Sequence, residues 1–115
     1  MIVDTRHLMF SPEALRAVVK TYRALFPQKQ PPGELGPILI RQTAPLVLGV
    51  QVLAPGAHGY REVEIQESEL AAMLILYCRE AKIPLPRSGS KAIEMSGEHV
   101  VLVTSKAIPT RAGPL

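Results

Sequence analysis

Two stretches of the chain, offset by 55 residues, carry the same predicted order of strand, helix, strand and strand. The offset aligns Tyr22 with Tyr77 and Pro31 with Pro86 without a gap. The order of elements supports a repeat better than the few identities do, because any α+β domain with two helices can be slid into partial register. We therefore predict an α+β fold of tandem β-α-β-β units that form a mainly antiparallel sheet, with two helices on one face.

Length and composition bound the organisation of the chain. With 115 residues, 47% of them hydrophobic and 20% charged, the chain is typical of one globular domain. The two predicted units cover about 7–55 and 60–108, and a flexible tail is predicted for 109–115. A single cysteine favours a reducing compartment, and no apolar run has the length of a membrane span. We expect a cytoplasmic protein that does not enter the membrane.

The first predicted helix has one basic face. Ser11 is placed as its N-cap and Pro12 as its first residue. Arg16, Lys20 and Arg23 then recur at helical spacing, opposite the apolar face. This face is a candidate surface for an anion or nucleic acid, and the alternative is an ordinary solvated helix face. The formal net charge of +3 permits a phosphate-rich partner without requiring one.

The second predicted helix, from Glu67 or Ser68 to Lys82 with Ser68 as its cap, is apolar on nearly all sides between residues 70 and 78. Such a helix must be covered on more than one side. A second copy or another protein would provide that cover, and internal burial is the alternative. We predict a dimer or partner interface, whose residues are Ala71, Leu74, Ile75 and Cys78.

The loop after this helix is the most distinctive segment. Pro84 and Pro86 stiffen its start, and Arg87 and Lys91 then bracket three small residues. Backbone amides flanked by positive charge suit an anion. The candidate residues of this loop are Arg87, Ser88, Ser90 and Lys91. The alternative interpretation is a plain connection from helix to strand with solvated charges.

Residues for catalysis or metal binding are sparse. The three histidines, His7, His58 and His99, lie on three different segments, and there is no second cysteine. We therefore expect no metal, no cofactor and no catalytic residues, which leans against an enzyme without excluding one. The prediction is a non-catalytic interaction protein that forms homodimers and binds another protein. The alternative is a weak nucleic-acid or anion-binding module that uses the basic helix face and the loop 87–91.

Overall fold

The computed structural model describes residues 1–110, and these form six strands and two α-helices. The order of elements confirms the α+β class and the β-α-β-β pattern, and α1 and α2 are offset by the 55 residues that the sequence alignment uses. The predicted tail 109–115 lies largely outside the described residues. The elements are β1 (Ile2–Phe10), α1 (Pro12–Leu25), a short 3-10 helix (Pro27–Lys29), β2 (Glu34–Thr43), β3 (Leu46–Leu53), β4 (Arg61–Gln66), α2 (Glu67–Glu80), β5 (Ser90–Ser96) and β6 (His99–Ile108).

The strands form two separate three-stranded sheets, where the sequence analysis predicted a single one. Their orders are β1-β6-β5 and β2-β3-β4, and every pairing is antiparallel. Each sheet combines strands of both predicted units, since β1 pairs with β6 and β4 pairs with β3. An alternating strand pattern suits any antiparallel neighbour, so the pattern identifies a strand but not its partner. The two units therefore interleave along the chain.

One cluster of buried side chains joins the two sheets and the two helices. The helix α1 begins as the sequence predicts, because the Ser11 hydroxyl accepts a hydrogen bond from the Ala14 amide at 3.1 Å and Pro12 follows the cap. Its buried face packs against this core, and α1 also contacts α2. The most buried members from the remaining elements are Leu48, Val50, Ile65, Leu70, Leu74, Val100 and Leu102.

The ends of α2 differ from the predicted ones. Its N-cap is Gln66, so Ser68 lies inside the helix, and the Glu67 carboxylate accepts a hydrogen bond from the Leu46 amide at 3.0 Å. The helix ends at Glu80 because Lys82 adopts a left-handed conformation with φ of 59°. The amide of Ile83 then donates to the carbonyl of Cys78 at 2.7 Å, which is the hydrogen bond of a Schellman motif.

The molecule is elongated. Its radius of gyration is 17.2 Å and its principal dimensions are 71 × 26 × 19 Å. A compact chain of about 100 residues has a radius of gyration of about 13 Å. The elongated shape leaves much of the sheet and helix surface accessible. Across residues 1–110, no helix combines the length and apolar character that crossing a membrane requires.

Candidate binding groove

A groove of about 600 Å³ lies between the C-terminal half of α2 and the segment that leads into β5. We call it the α2 groove. It is larger than two other grooves on the described surface, which measure about 250 and 290 Å³, and its volume is within the range of ligand sites. Its lining residues are Ile75, Arg79, Ile83, Leu85, Pro86, Arg87 and Lys91.

The local sequence explains how the α2 groove forms. Ile75 and Arg79 are four residues apart, so they lie on one side of α2. The Schellman motif then reverses the chain and brings Ile83 to the same place, and the two prolines that follow favour an extended backbone. Gly89 has a φ of +109°, and a Cβ atom there would lie 2.2 Å from the Ser105 carbonyl oxygen. Only glycine fits this contact, which joins the segment to β6 at the start of β5.

The α2 groove has aliphatic walls and a positively charged rim. Arg79, Arg87 and Lys91 are all exposed, and no aspartate or glutamate lines the groove. Within residues 1–110, the side chains in ion pairs are Arg6 with Asp4 and Arg41 with Glu62. The three cations of the rim are therefore free of carboxylate partners in the described part of the chain. Apolar walls beside unneutralised charge concentrate a positive potential in the groove.

The proposed interface on α2 divides into buried and accessible residues. Leu74 and Cys78 have 0% exposure and belong to the core of this single chain, where burial raises the pKa of the Cys78 thiol. Ala71 and Ile75 are half-buried. Internal burial thus accounts for Leu74 and Cys78, because α1 and the two sheets surround α2 more fully than one sheet would. Only Ala71 and Ile75 remain accessible to a partner.

The basic face of α1 is largely engaged within the chain. Arg16 donates hydrogen bonds to the carbonyls of Leu35 and Gly36 at 2.7 and 2.6 Å. Both Arg16 and Arg23 are half-buried, and only Lys20 of the three basic residues is exposed.

Arg23 makes three hydrogen bonds to the loop that follows α1. It donates to the Gln30 side-chain oxygen and to the carbonyls of Pro31 and Gly33, at 3.0, 3.0 and 3.1 Å. The guanidinium groups of α1 therefore hold the segment 30–36 in place. A freely solvated basic face is not what the structure contains, because backbone carbonyls distant in sequence accept these hydrogen bonds.

The loop 87–91 and α2 come together at one site. Arg87 and Lys91 line the α2 groove with Ile75, whereas Ser88 and Ser90 are exposed and are not among its lining residues. Sequence reasoning missed Arg79, although its spacing of four residues from Ile75 is a signal that a helix face would provide. It also missed the aliphatic wall, which is made of Ile83, Leu85 and Pro86.

A second polar cluster lies on the outer face of the β2-β3-β4 sheet. Glu62 accepts hydrogen bonds from Arg41 Nε at 3.1 Å and from Gln51 Nε2 at 2.6 Å. The cluster crosses Gly49, where a Cβ atom would lie 2.6 Å from the Glu62 carboxyl carbon. The hydrogen bond from Arg41 lowers the pKa of Glu62, and the same contact raises the pKa of Arg41. These groups link three neighbouring strands, which indicates a structural role.

The α2 groove supplies binding chemistry through charge and apolar contact. Among residues 1–110, no three histidine, cysteine, aspartate or glutamate side chains are placed to hold a metal ion. Comparison with known proteins found no matching family model, no matching curated protein and no matching solved structure. The functional argument therefore rests on the groove and its surroundings.

Proposed function

We propose that the protein is a non-catalytic binding module that holds an acidic, extended segment of another protein in the α2 groove. The observation that carries this proposal is the rim of three cations around an aliphatic wall without a carboxylate. Carboxylate side chains of a partner would meet Arg79, Arg87 and Lys91, while its apolar side chains would pack on Ile75 and the wall. Complementary charge of this kind gives specificity and fast association.

The neighbouring sheet favours a peptide over a small ligand. Lys91 belongs to β5, which is an edge strand of the β1-β6-β5 sheet, and most residues of β5 are exposed. An edge strand offers backbone amides and carbonyls to an extended chain, and alternate side chains of that chain then reach a neighbouring groove. The partner segment would therefore add a strand beside β5 and place every second side chain toward α2.

Two observations disfavour nucleic acid as the partner. No aromatic side chain lines the α2 groove, whereas single-stranded nucleic acids bind largely by stacking on aromatic rings. On α1, Arg16 and Arg23 are committed to carbonyls of the chain, so they are less available for phosphates. We accordingly treat oligonucleotide binding as an alternative outcome of the experiment below.

The experiment measures fluorescence anisotropy of short labelled peptides that alternate leucine and glutamate. We expect the acidic peptide to bind, and the same peptide with lysine in place of glutamate to bind at least about tenfold more weakly. Affinity for the acidic peptide should fall as salt concentration rises, because salt screens the exposed charges. Equal affinity for the two peptides would contradict the proposal.

A pair of charge-matched variants locates the binding site. The double variant Arg87→Glu, Lys91→Glu reverses two charges of the groove, and Lys20→Glu, Lys29→Glu reverses two exposed charges elsewhere. Both lower the net charge by the same amount. We expect the first variant to weaken peptide binding at least about tenfold and the second to change it less than about twofold. Equal losses would indicate a nonspecific charge effect, and tighter binding of a single-stranded oligonucleotide that only the second variant abolishes would favour the α1 face.

A further inference from the structure

The strand β1 is the least protected edge in the molecule. It pairs with β6 through nine consecutive residues without a register shift, and its other side has no strand beside it. Edge strands are usually guarded by proline, bulges, charges or short length. The edge strand β2 contains Pro37 and two register shifts, β4 has only six residues, and β5 has seven. None of these features except charge is present in β1.

The same strand carries a concentration of exposed apolar side chains. Ile2, Val3 and Met9 are exposed by 57, 61 and 56%, and the adjacent Met1 by 82%. These are four of the ten exposed large hydrophobic residues found among the described residues. A regular edge with apolar side chains is a surface on which another strand can pair.

The charges of β1 identify the strand that fits it. Asp4 and Arg6 are two residues apart, so they lie on one face of the strand. In an antiparallel pairing of two copies centred on Thr5, Asp4 of each copy lies opposite Arg6 of the other. The same register places Val3 opposite His7 and Ile2 opposite Leu8. The strand is therefore complementary to itself, as a two-fold interface requires.

We propose that two copies of the chain pair antiparallel along β1 and so join their β1-β6-β5 sheets into one six-stranded sheet. This assigns the interface to β1, whereas the sequence analysis placed a dimer on α2. The proposal is independent of the α2 groove, because β5 and β1 are opposite edges of the same sheet. A dimer through β1 leaves both grooves open and presents two binding sites to a partner.

Charge reversal with mixing tests this pairing. Size-exclusion chromatography with light scattering should give a wild-type mass of twice 12.5 kDa. Asp4→Arg and Arg6→Asp each place like charges opposite one another in both halves of the interface. We expect each variant alone to be monomeric, with self-association weakened roughly tenfold or more. An equimolar mixture of the two variants should dimerise, because every charge in the mixed pair meets its opposite.

Further variants separate the interface from effects on folding. The double variant Asp4→Arg, Arg6→Asp restores opposite charges and should dimerise, and Glu98→Arg, in the turn between β5 and β6, should leave the dimer intact. A monomeric wild-type protein would overturn the proposal, as would single variants that remain dimeric or a mixture that remains monomeric. A dimer that only Ile75→Glu dissolves would assign the interface to α2 instead.

Discussion

Two grooves flank the two helices at corresponding positions, and they differ in what their charges contact. The groove beside α1 measures about 290 Å³ and the α2 groove about 600 Å³. With the offset of 55 residues, Pro31 corresponds to Pro86, and the two prolines line their respective grooves. Beside α1, Arg23 lies in the groove and donates to three oxygen atoms of its own chain. Beside α2, the cations lie at the rim and the described residues offer them no carboxylate.

The difference teaches how one framework can serve two ends. The position that corresponds to Arg23 is Cys78, which is buried in the core, so α2 has no side chain at that position to hold the following loop. The position that corresponds to Ala24 is Arg79, which lines the larger groove. Positive charge beside α1 stabilises the fold, while positive charge beside α2 remains available for a partner.

One feature is shared by both halves, and its removal should have the largest effect. Gly33 and Gly89 precede β2 and β5, both have positive φ, and a Cβ atom on either would lie 2.3 or 2.2 Å from a carbonyl oxygen. We expect Gly33→Ala and Gly89→Ala each to lower the free energy of unfolding by about 3 kcal/mol, because strain and steric overlap combine. Urea unfolding measures the loss. Gly59→Ala is the control, since nothing lies within 4 Å of the added methyl, and a loss no larger than in this control would contradict the contact.

The next effect separates the two grooves. Arg23→Ala removes three hydrogen bonds and leaves Gln30, which is only 7% exposed, without a partner for its oxygen. We expect it to lower the free energy of unfolding by about 2–3 kcal/mol. Arg79→Ala removes an exposed side chain and should change the free energy of unfolding by less than about 0.5 kcal/mol. Similar losses in the two variants, measured by urea unfolding, would remove the distinction between a structural and an available charge.

The smallest expected effect concerns the two sheets. Position 7 corresponds to Glu62 under the same offset, and His7 is exposed, so the clamp from Arg41 to Glu62 belongs to the β2-β3-β4 sheet. Because the pKa of Glu62 is lowered below its ordinary value of 4.5, its contribution to stability is present above that pH and disappears as the pH falls through the lowered pKa.

Unfolding measured across this acidic range tests the clamp. The difference in unfolding free energy between wild type and Glu62→Gln should vanish at the acidic end. Arg41→Gln should return the pKa of Glu62 toward its ordinary value, because it removes the main cause of the shift. A wild-type advantage that persists at the lowest pH would show that the contact does not depend on the ionised carboxylate.

The sequence predicts the elements of this fold better than their partners. The cap at Ser11 and the apolar spacing define α1, and the same 55-residue offset locates α2. The division into two sheets depends on which strand meets which, and an alternating pattern carries no such information. The hydrogen bonds of Arg16 and Arg23 are equally hidden, since their acceptors are backbone carbonyls that every residue possesses. Common ancestry of the two units stays a prediction.

The candidate site could be predicted only in parts. Ile75 and the loop 87–91 were both identified from sequence, but as separate features with separate roles. Their meeting in one groove depends on the left-handed turn at Lys82 and on the close contact of Gly89 with β6. Neither of these signals is visible in periodicity, because lysine is an unusual residue for a left-handed conformation.

The most direct test of the account maps where an acidic partner binds. Nitrogen-15 NMR spectra of the uniformly labelled protein would be recorded during titration with the peptide of alternating leucine and glutamate. We expect chemical-shift changes confined to the C-terminal half of α2, the segment 83–91 and β5, and their loss in the Arg87→Glu, Lys91→Glu variant. Changes centred instead on α1 and the segment 30–36, or an absence of changes at the α2 groove, would contradict the central claim that this groove is the binding site.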